Sequence, residues 1–230
     1  MGDFLFVDLW SDVVCPFCYL GTRQLFLAIN QFEHRGHVVV RHRAFELDPG
    51  SRTDINLPLD ELLARKYSMP IERARALNQR VEDEAATLGM TWSLATARPT
   101  NTFDAHRLIA FASGQGLGDL MNERLFRAYF SEGELVSDHE TLSRLATEVE
   151  VEGADELWSG DTLADAVRQD ESAAQELGIT GVPAFLVDNK FMVVGAQGAD
   201  KILEVLRRAW ARRNDHSSGS AGTNAAVATE

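Results

Sequence analysis

Cysteine, proline and lysine are scarce in this 230-residue chain, at two, six and three copies. Two cysteines cannot build the multi-bridge framework of a small secreted domain, nor supply the four ligands of a structural zinc site by themselves. Basic residues as a whole are outnumbered 22 to 35, for a formal net charge of −13. Against that field no basic face is easily assembled, so neither nucleic acid nor an anionic membrane is expected as a partner, and solubility is the plain meaning of the charge. Long apolar runs are missing as well; none approaches the roughly 20 residues of a membrane span. The opening Met1-Gly2-Asp3-Phe4 lacks the basic segment of a signal peptide, which predicts a cytoplasmic location. Thiols there are held reduced, so the cysteine pair is not expected to act as a structural staple. The skew of the basic residues to arginine hints at a GC-rich coding genome and carries no mechanism. The remaining composition, 45% hydrophobic and 25% charged, is that of a globular protein, long enough for one large domain or a domain with a big insertion.

Both cysteines fall in one stretch, Cys15-Pro16-Phe17-Cys18. Before it, Phe4 to Trp10 is nearly all apolar, as a strand buried on both faces should be, with Asp8 the exception. After it, Leu20, Leu25, Phe26, Ile29 and Phe32 recur at roughly helical spacing, and Pro16 is tolerated in a first turn. Gly36 breaks the pattern and Val38 to Phe45 reads as a second strand. Strand, helix, strand predicts a right-handed parallel unit with the cysteines at the carboxyl end of its first strand.

From Pro58 to about Val151 the period is helical throughout. One helix carries Leu59, Leu62 and Leu63. The next has Ala74, Leu77, Val81, Ala85 and Leu88 on one face and ends at Gly89. Thr102 opens a third, Asp119 a fourth, and the capping box Ser137-Asp138-His139-Glu140 a fifth. A helix from about Asp161, lined by Leu163, Val167, Ala174 and Leu177, precedes Gly181-Val182-Pro183. Strands at Ala184 to Val187 and Phe191 to Val194 flank a turn at Asp188-Asn189-Lys190, and a last helix runs from Ala199 to about Arg212. The predicted domains are therefore a discontinuous α/β unit, 1–57 and 152–213, and a helical insertion, 58–151. The polar, small, aperiodic residues 214–230 read as a disordered tail.

The spacing of the cysteines places both sulfurs on one side of a first helical turn, which dithiol redox chemistry requires. Cys15 falls where unpaired backbone N–H groups and the helix dipole favour a thiolate, so it is the expected nucleophile. Cys18, one turn in, is the expected resolving thiol. The competing reading is half a metal site, but there is no second CxxC, and among His34, His37, His42, His106, His139 and His216 only His34 and His37 stand at a ligand-like spacing, some 16 residues or more from the cysteines. No metal is expected. Val182-Pro183 can bear a cis peptide bond and expose backbone groups to an extended substrate beside Cys15, or can simply open a strand.

These residues carry a resemblance. Strand, Cys-Pro-Phe-Cys-Tyr-Leu-Gly, strand, helical insertion and Gly-Ile-Thr-Gly-Val-Pro-Ala-Phe-Leu-Val resemble the DsbA family. Trp10 to Val14 and Asn101 to Arg107 resemble its FrnE-like cytoplasmic branch. The fold this implies is α/β, a thioredoxin-like fold (βαβ…αββα) interrupted by an all-helical insertion. The resemblance implies that Cys15 attacks, Cys18 resolves and Pro183 is a cis-proline beside them. Periplasmic members carry histidine where this chain has Phe17. The loss of that polar partner should make the disulfide less oxidising, toward the lower end of the roughly −270 to −120 mV seen in thioredoxin folds.

The expected activity is thiol-disulfide exchange on proteins or low-molecular-weight thiols, by a monomer or homodimer. It needs no bound cofactor and draws electrons from mycothiol, glutathione or a thioredoxin system. Around the pair, Trp10 and Phe17 are candidates for an apolar substrate rim or, equally, for ordinary packing, and Asp8 for a proton relay or a plain structural carboxylate. Asp12 reads as a loop cap. His106, with Asn101, is a candidate site contact or an ordinary packing histidine. Kappa-class glutathione transferases and 2-hydroxychromene-2-carboxylate isomerases are similar in layout, but typically carry serine at the position of Cys15. A chaperone-like binding module is the non-enzymatic alternative.

Overall fold

The structure, a computed structural model, describes residues 4–53, 55 and 57–219. Strand β1 (Leu5–Ser11) leads through a four-residue loop into helix α1 (Pro16–Gln31), and a single 3-10 turn at Arg35–His37 precedes β2 (Val38–Ala44). β1 and β2 pair in parallel, Leu5 opposite Val38 through Ser11 opposite Ala44. The chain then leaves the sheet for five helices: α2 (Leu59–Lys66), α3 (Ile71–Thr87), α4 (Phe103–Gly114), α5 (Gly118–Phe130) and α6 (His139–Glu148). It returns through α7 (Ala164–Glu176), β3 (Ala184–Val187), β4 (Phe191–Val194) and α8 (Ala199–Gly219). The sheet order is β2-β1-β3-β4, with β3 antiparallel to both neighbours. This is the thioredoxin fold, and its α/β architecture with a helical insertion is the one expected from the sequence.

Alternation along β1 decides which layer each residue meets. Leu5, Val7 and Leu9 point to one face and are buried against Leu25 and Ala28 of α1, Phe32 just after it, and Ile202, Leu206 and Ala209 of α8. Each such side chain contributes about 1.5–3 kcal/mol on burial. Asp8 and Trp10 point to the opposite face, where Trp10 packs against Ala174 of α7 and Ala184 and Leu186 of β3. The insertion does not stand apart from this unit. Val13, Cys15, Cys18, Tyr19 and Leu20 share one continuous apolar core with Leu108, Ile109, Leu125, Phe126, Phe130, Leu142 and Leu145 of α4, α5 and α6. The inserted helices therefore form part of the wall around the cysteines.

Several sequence-based boundaries shift for local reasons. The first strand runs one residue later than expected. Asp138 alone caps α6, accepting from the Thr141 N–H at 2.8 Å. α7 begins at Ala164 because Leu163 adopts a left-handed φ of 63°. Leu77 of α3 is exposed, and only Ala74 and Ala85 of that helix are fully buried. α8 continues to Gly219, past the expected end of the domain at 213. The rest of the proposed tail, 220–230, lies outside the described residues. Among the described residues no helix is long and apolar enough to cross a membrane.

Candidate active site

Cys15 occupies the N-cap of α1, with Pro16 directly after it, where the missing proline N–H costs nothing. The turn before it is closed by its own N–H donating to the Asp12 carbonyl at 3.0 Å. Its carbonyl in turn accepts from the Cys18 and Tyr19 N–H groups at 3.0 and 3.3 Å. The Cys15 thiol lies 3.8 Å from the Val182 carbonyl oxygen, on the loop whose Val182-Pro183 peptide is cis. Two regions 167 residues apart in sequence thus meet at one sulfur.

Gly21 makes that meeting possible. A Cβ at this position would lie 2.7 Å from Pro183 Cγ and 3.1 Å from Phe185 Cζ, so only glycine lets α1 seat against the proline loop. A glycine inside a helix costs about 1 kcal/mol relative to alanine, and that local cost was the sequence signal for a close approach.

Cys18 is wholly buried, at 0% exposure. Its sulfur accepts the Asp12 N–H at 3.4 Å. Both cysteines are free thiols. Burial pushes the Cys18 thiol well above its ordinary range, and its hydrogen bond to Cys15 and the charges of Cys15 and Asp12 push the same way against the Asp12 N–H. The pair is chemically asymmetric, with one sulfur at the loop interface and the other kept protonated behind it.

Asp12, which the sequence suggested only as a loop cap, is the carboxylate of this site. It is 1% exposed. One oxygen accepts the Leu47 N–H at 2.8 Å, and the other lies 3.5 Å from the Val14 nitrogen and 3.5 Å from His106 Nε2. His106 comes from α4 of the insertion and is itself buried. Asn101 does not reach the cysteines. Its amide donates to Glu46 at 3.1 Å and its oxygen accepts the Phe103 N–H at 2.9 Å. It therefore acts one step away, anchoring the segment whose next residue, Leu47, binds Asp12. Glu46 is pushed up by burial and by Glu171, against the pull of Arg168.

Two proposed site residues are placed elsewhere by the structure. Asp8 is not a relay under the cysteines, because the strand register sets it opposite Arg41. Its two oxygens are taken by Arg41 at 2.5 Å and Arg43 at 2.8 Å. Trp10 is no substrate rim: it is 3% exposed, on the same face as Asp8, with its indole N–H donating to the Asp170 carbonyl at 2.9 Å. Phe17, by contrast, is 48% exposed at the start of α1 and is available to a partner. Tyr19, next to Cys18, stacks between Trp92 and Phe126 at 5.2 and 4.7 Å and donates to Glu123 at 2.6 Å, locking α1 to the insertion. Among the described residues no group of three or more histidine, cysteine or acidic side chains is arranged to hold a metal.

Comparison with known proteins adds a family to this geometry. The model of the DSBA-like thioredoxin domain matches residues 6–207. A probable DsbA oxidoreductase from Streptomyces coelicolor is 33% identical, covering 98% of this chain and 94% of its own, with a TM-score of 0.85. The fold is also that of a 2-hydroxychromene-2-carboxylate isomerase, 17% identical with a TM-score of 0.66, covering 93% and 98%. The cytosolic disulfide reductase DsbM from Pseudomonas aeruginosa shares it as well, at 20% identity and a TM-score of 0.60, covering 88% and 97%.

Proposed function

The chain belongs to the DSBA-like thioredoxin domain family, and on that premise we propose that it is a cytoplasmic thiol-disulfide oxidoreductase working in the reducing direction. The observation that carries this reading is the asymmetric dithiol. Cys15 sits at a helix N-terminus against the Val182 carbonyl, and Cys18 is held protonated behind it.

In the proposed cycle the Cys15 thiolate attacks one sulfur of a substrate disulfide, forming a mixed disulfide and expelling the other sulfur as a thiolate. Cys18, losing its proton, then attacks Cys15 Sγ. The Cys15-substrate bond breaks with its electron pair on the departing sulfur, and a Cys15-Cys18 disulfide remains. Two electrons have moved from the protein to the substrate. A small thiol such as mycothiol or glutathione, or a thioredoxin system, returns them by the same exchange run backwards. Substrates are disulfides of proteins or small thiols, with Phe17 and the backbone of Val182-Pro183 as the contact surface.

The direction rests on Phe17, a side chain with no hydrogen-bond donor to hold the Cys15 thiolate and so to strengthen the disulfide as an oxidant. Equilibration of the pair in mycothiol and glutathione redox buffers tests it. A potential nearer the −270 mV end of the family range than the −120 mV end is expected, together with catalysed reduction of a protein disulfide. A potential near −120 mV would reverse the assigned direction. The isomerase shares only the fold, and the presence of both cysteines favours redox chemistry over that second reading.

A further inference from the structure

Ionising Cys18 is the awkward step of the cycle proposed above, because its sulfur is buried beside an aspartate with the same sign of charge. The structure places an unusual series of groups behind it. His106 is 4% exposed, and no hydrogen bond is made to its Nε2, which faces Asp12 at the ion-pair separation of 3.5 Å. Beyond it His106 lines a small cavity of about 10 Å³, together with Ser11, His42, Arg43 and Asp170. That volume suits about one water, and the lining supplies the polar partners a buried water requires. Across the cavity, the His42 side chain is 5% exposed, with Nδ1 unpartnered and Nε2 2.7 Å from Asp119. The Asp119 carboxylate is 52% exposed to solvent. A series of proton-carrying groups thus runs from the buried sulfur to the surface through side chains of α1, the loop before it, α4, β2 and α5.

We infer that Asp12, His106 and His42 form the exit path for the proton that Cys18 surrenders in the resolving step, so that the helical insertion supplies a group required by the chemistry. The inference rests on the thiol-disulfide reading. As Cys18 attacks, its S–H proton passes to the Asp12 carboxylate and its electron pair forms the bond to Cys15 Sγ. The bond from Cys15 to the substrate sulfur breaks, and that sulfur departs as a thiolate that takes its own proton from solvent. The proton on Asp12 moves to His106, then across the cavity to His42 and Asp119.

Charge decides the ordering. Without transfer, the Cys18 thiolate and the Asp12 carboxylate would be two like charges in one buried space; with transfer, only one remains. The other ionisable groups facing His106 and Asp12 are Arg43 of β2, Asp170 of α7 and Tyr129 of α5. His106 is a positioning and relay residue acting through Asp12, whose backbone touches the reacting sulfur.

A chromogenic aryl disulfide, dithiobis-nitrobenzoate, separates the two steps in a stopped-flow experiment on the reduced full-length protein. One coloured thiolate is released when Cys15 forms the mixed disulfide, and a second when Cys18 resolves it. In His106→Gln the second release should slow at least tenfold while the first stays within twofold of wild type, and the acid-side fall of the second phase should flatten. Asp12→Asn should slow the second release comparably. The double variant should be no slower than the slower single, since groups acting in series are not additive.

His42→Gln should slow the second release alone, and an unchanged second phase there overturns the exit route. A second phase within twofold of wild type in His106→Gln, or two phases that fall together in it, overturns the inference as a whole. The probe needs only the two thiols. A wild type that gives both releases yet turns over no protein disulfide with any thiol reductant would therefore defeat the functional reading and leave this inference intact.

Discussion

Replacing Cys15 with serine should abolish thiol-disulfide exchange, a loss of roughly 10³-fold or more toward the uncatalysed background. A serine hydroxyl stays protonated at working pH and cannot displace a thiolate from sulfur. Cys18 cannot take over, because it is at 0% exposure and its thiol is pushed well up by burial. Cys18→Ser should behave differently. Its Cys15 remains at the helix N-terminus against the Val182 carbonyl, so the first exchange proceeds and the mixed disulfide accumulates. Insulin turnover and intact-mass measurement check both variants. Residual turnover of Cys15→Ser above a tenth of wild type, or no mixed disulfide in Cys18→Ser, would contradict these roles.

The largest expected effect on stability lies at Arg107, one residue after the relay histidine. Its side chain is almost wholly buried, and every arm is used. Nε donates to the Thr162 carbonyl at 2.9 Å, Nη2 to Leu157 and Gly160 at 2.6 and 2.5 Å, and Nη1 to Asp104 at 2.7 Å. Three of these acceptors are carbonyls of the 3-10 helix Ala154–Ser159 and the loop after it, which join the insertion to α7, so one guanidinium pins the return of the chain to the sheet. Asp104 is also partly buried, which opposes its charge, yet the bonds from His139 and Arg107 hold it below the usual carboxylate range.

Arg107→Ala strands these groups together and should cost about 3–5 kcal/mol, the usual loss on breaking one side of a buried pair. Arg107→Lys should recover little, since an ammonium cannot reproduce the planar fork. Urea denaturation of the reduced protein measures both. A loss below about 1 kcal/mol in Arg107→Ala, the level of a surface ion pair, would contradict this account.

What the sequence made legible follows the range of the interactions involved. The strand before the cysteines, the helix after them and the Asp188-Asn189 turn are set by local periodicity and turn chemistry, and they fall within a residue or two of where the pattern puts them. For Asp8 and Trp10 the sequence left a site role and a structural role both open, because the distance to Cys15 along the chain says nothing about the face of a strand. Both lie on the side away from α1, where Arg41, Arg43 and α7 claim them. Asp12 was read as a cap because its partners, the Leu47 N–H and His106, are 35 and about 94 residues away and no local signal announces them. Gly21 was the one long-range feature with a local trace, a helix-interior glycine whose reason is Pro183. His106 and Asn101 lay in one quoted segment, yet only His106 reaches the site, because Asn101 turns back to accept the Phe103 N–H and hold Glu46.

The central claim is that two cysteines three apart are chemically unequal, with Cys15 the attacking sulfur and Cys18 the protonated one behind it. Timed alkylation of the reduced native protein with iodoacetamide at neutral pH, followed by peptide mass mapping, tests this without any assumed substrate. The account predicts that Cys15 is modified at least tenfold faster than Cys18, and that the difference disappears in denaturant. Equal rates in the native protein, or faster modification of Cys18, would contradict it.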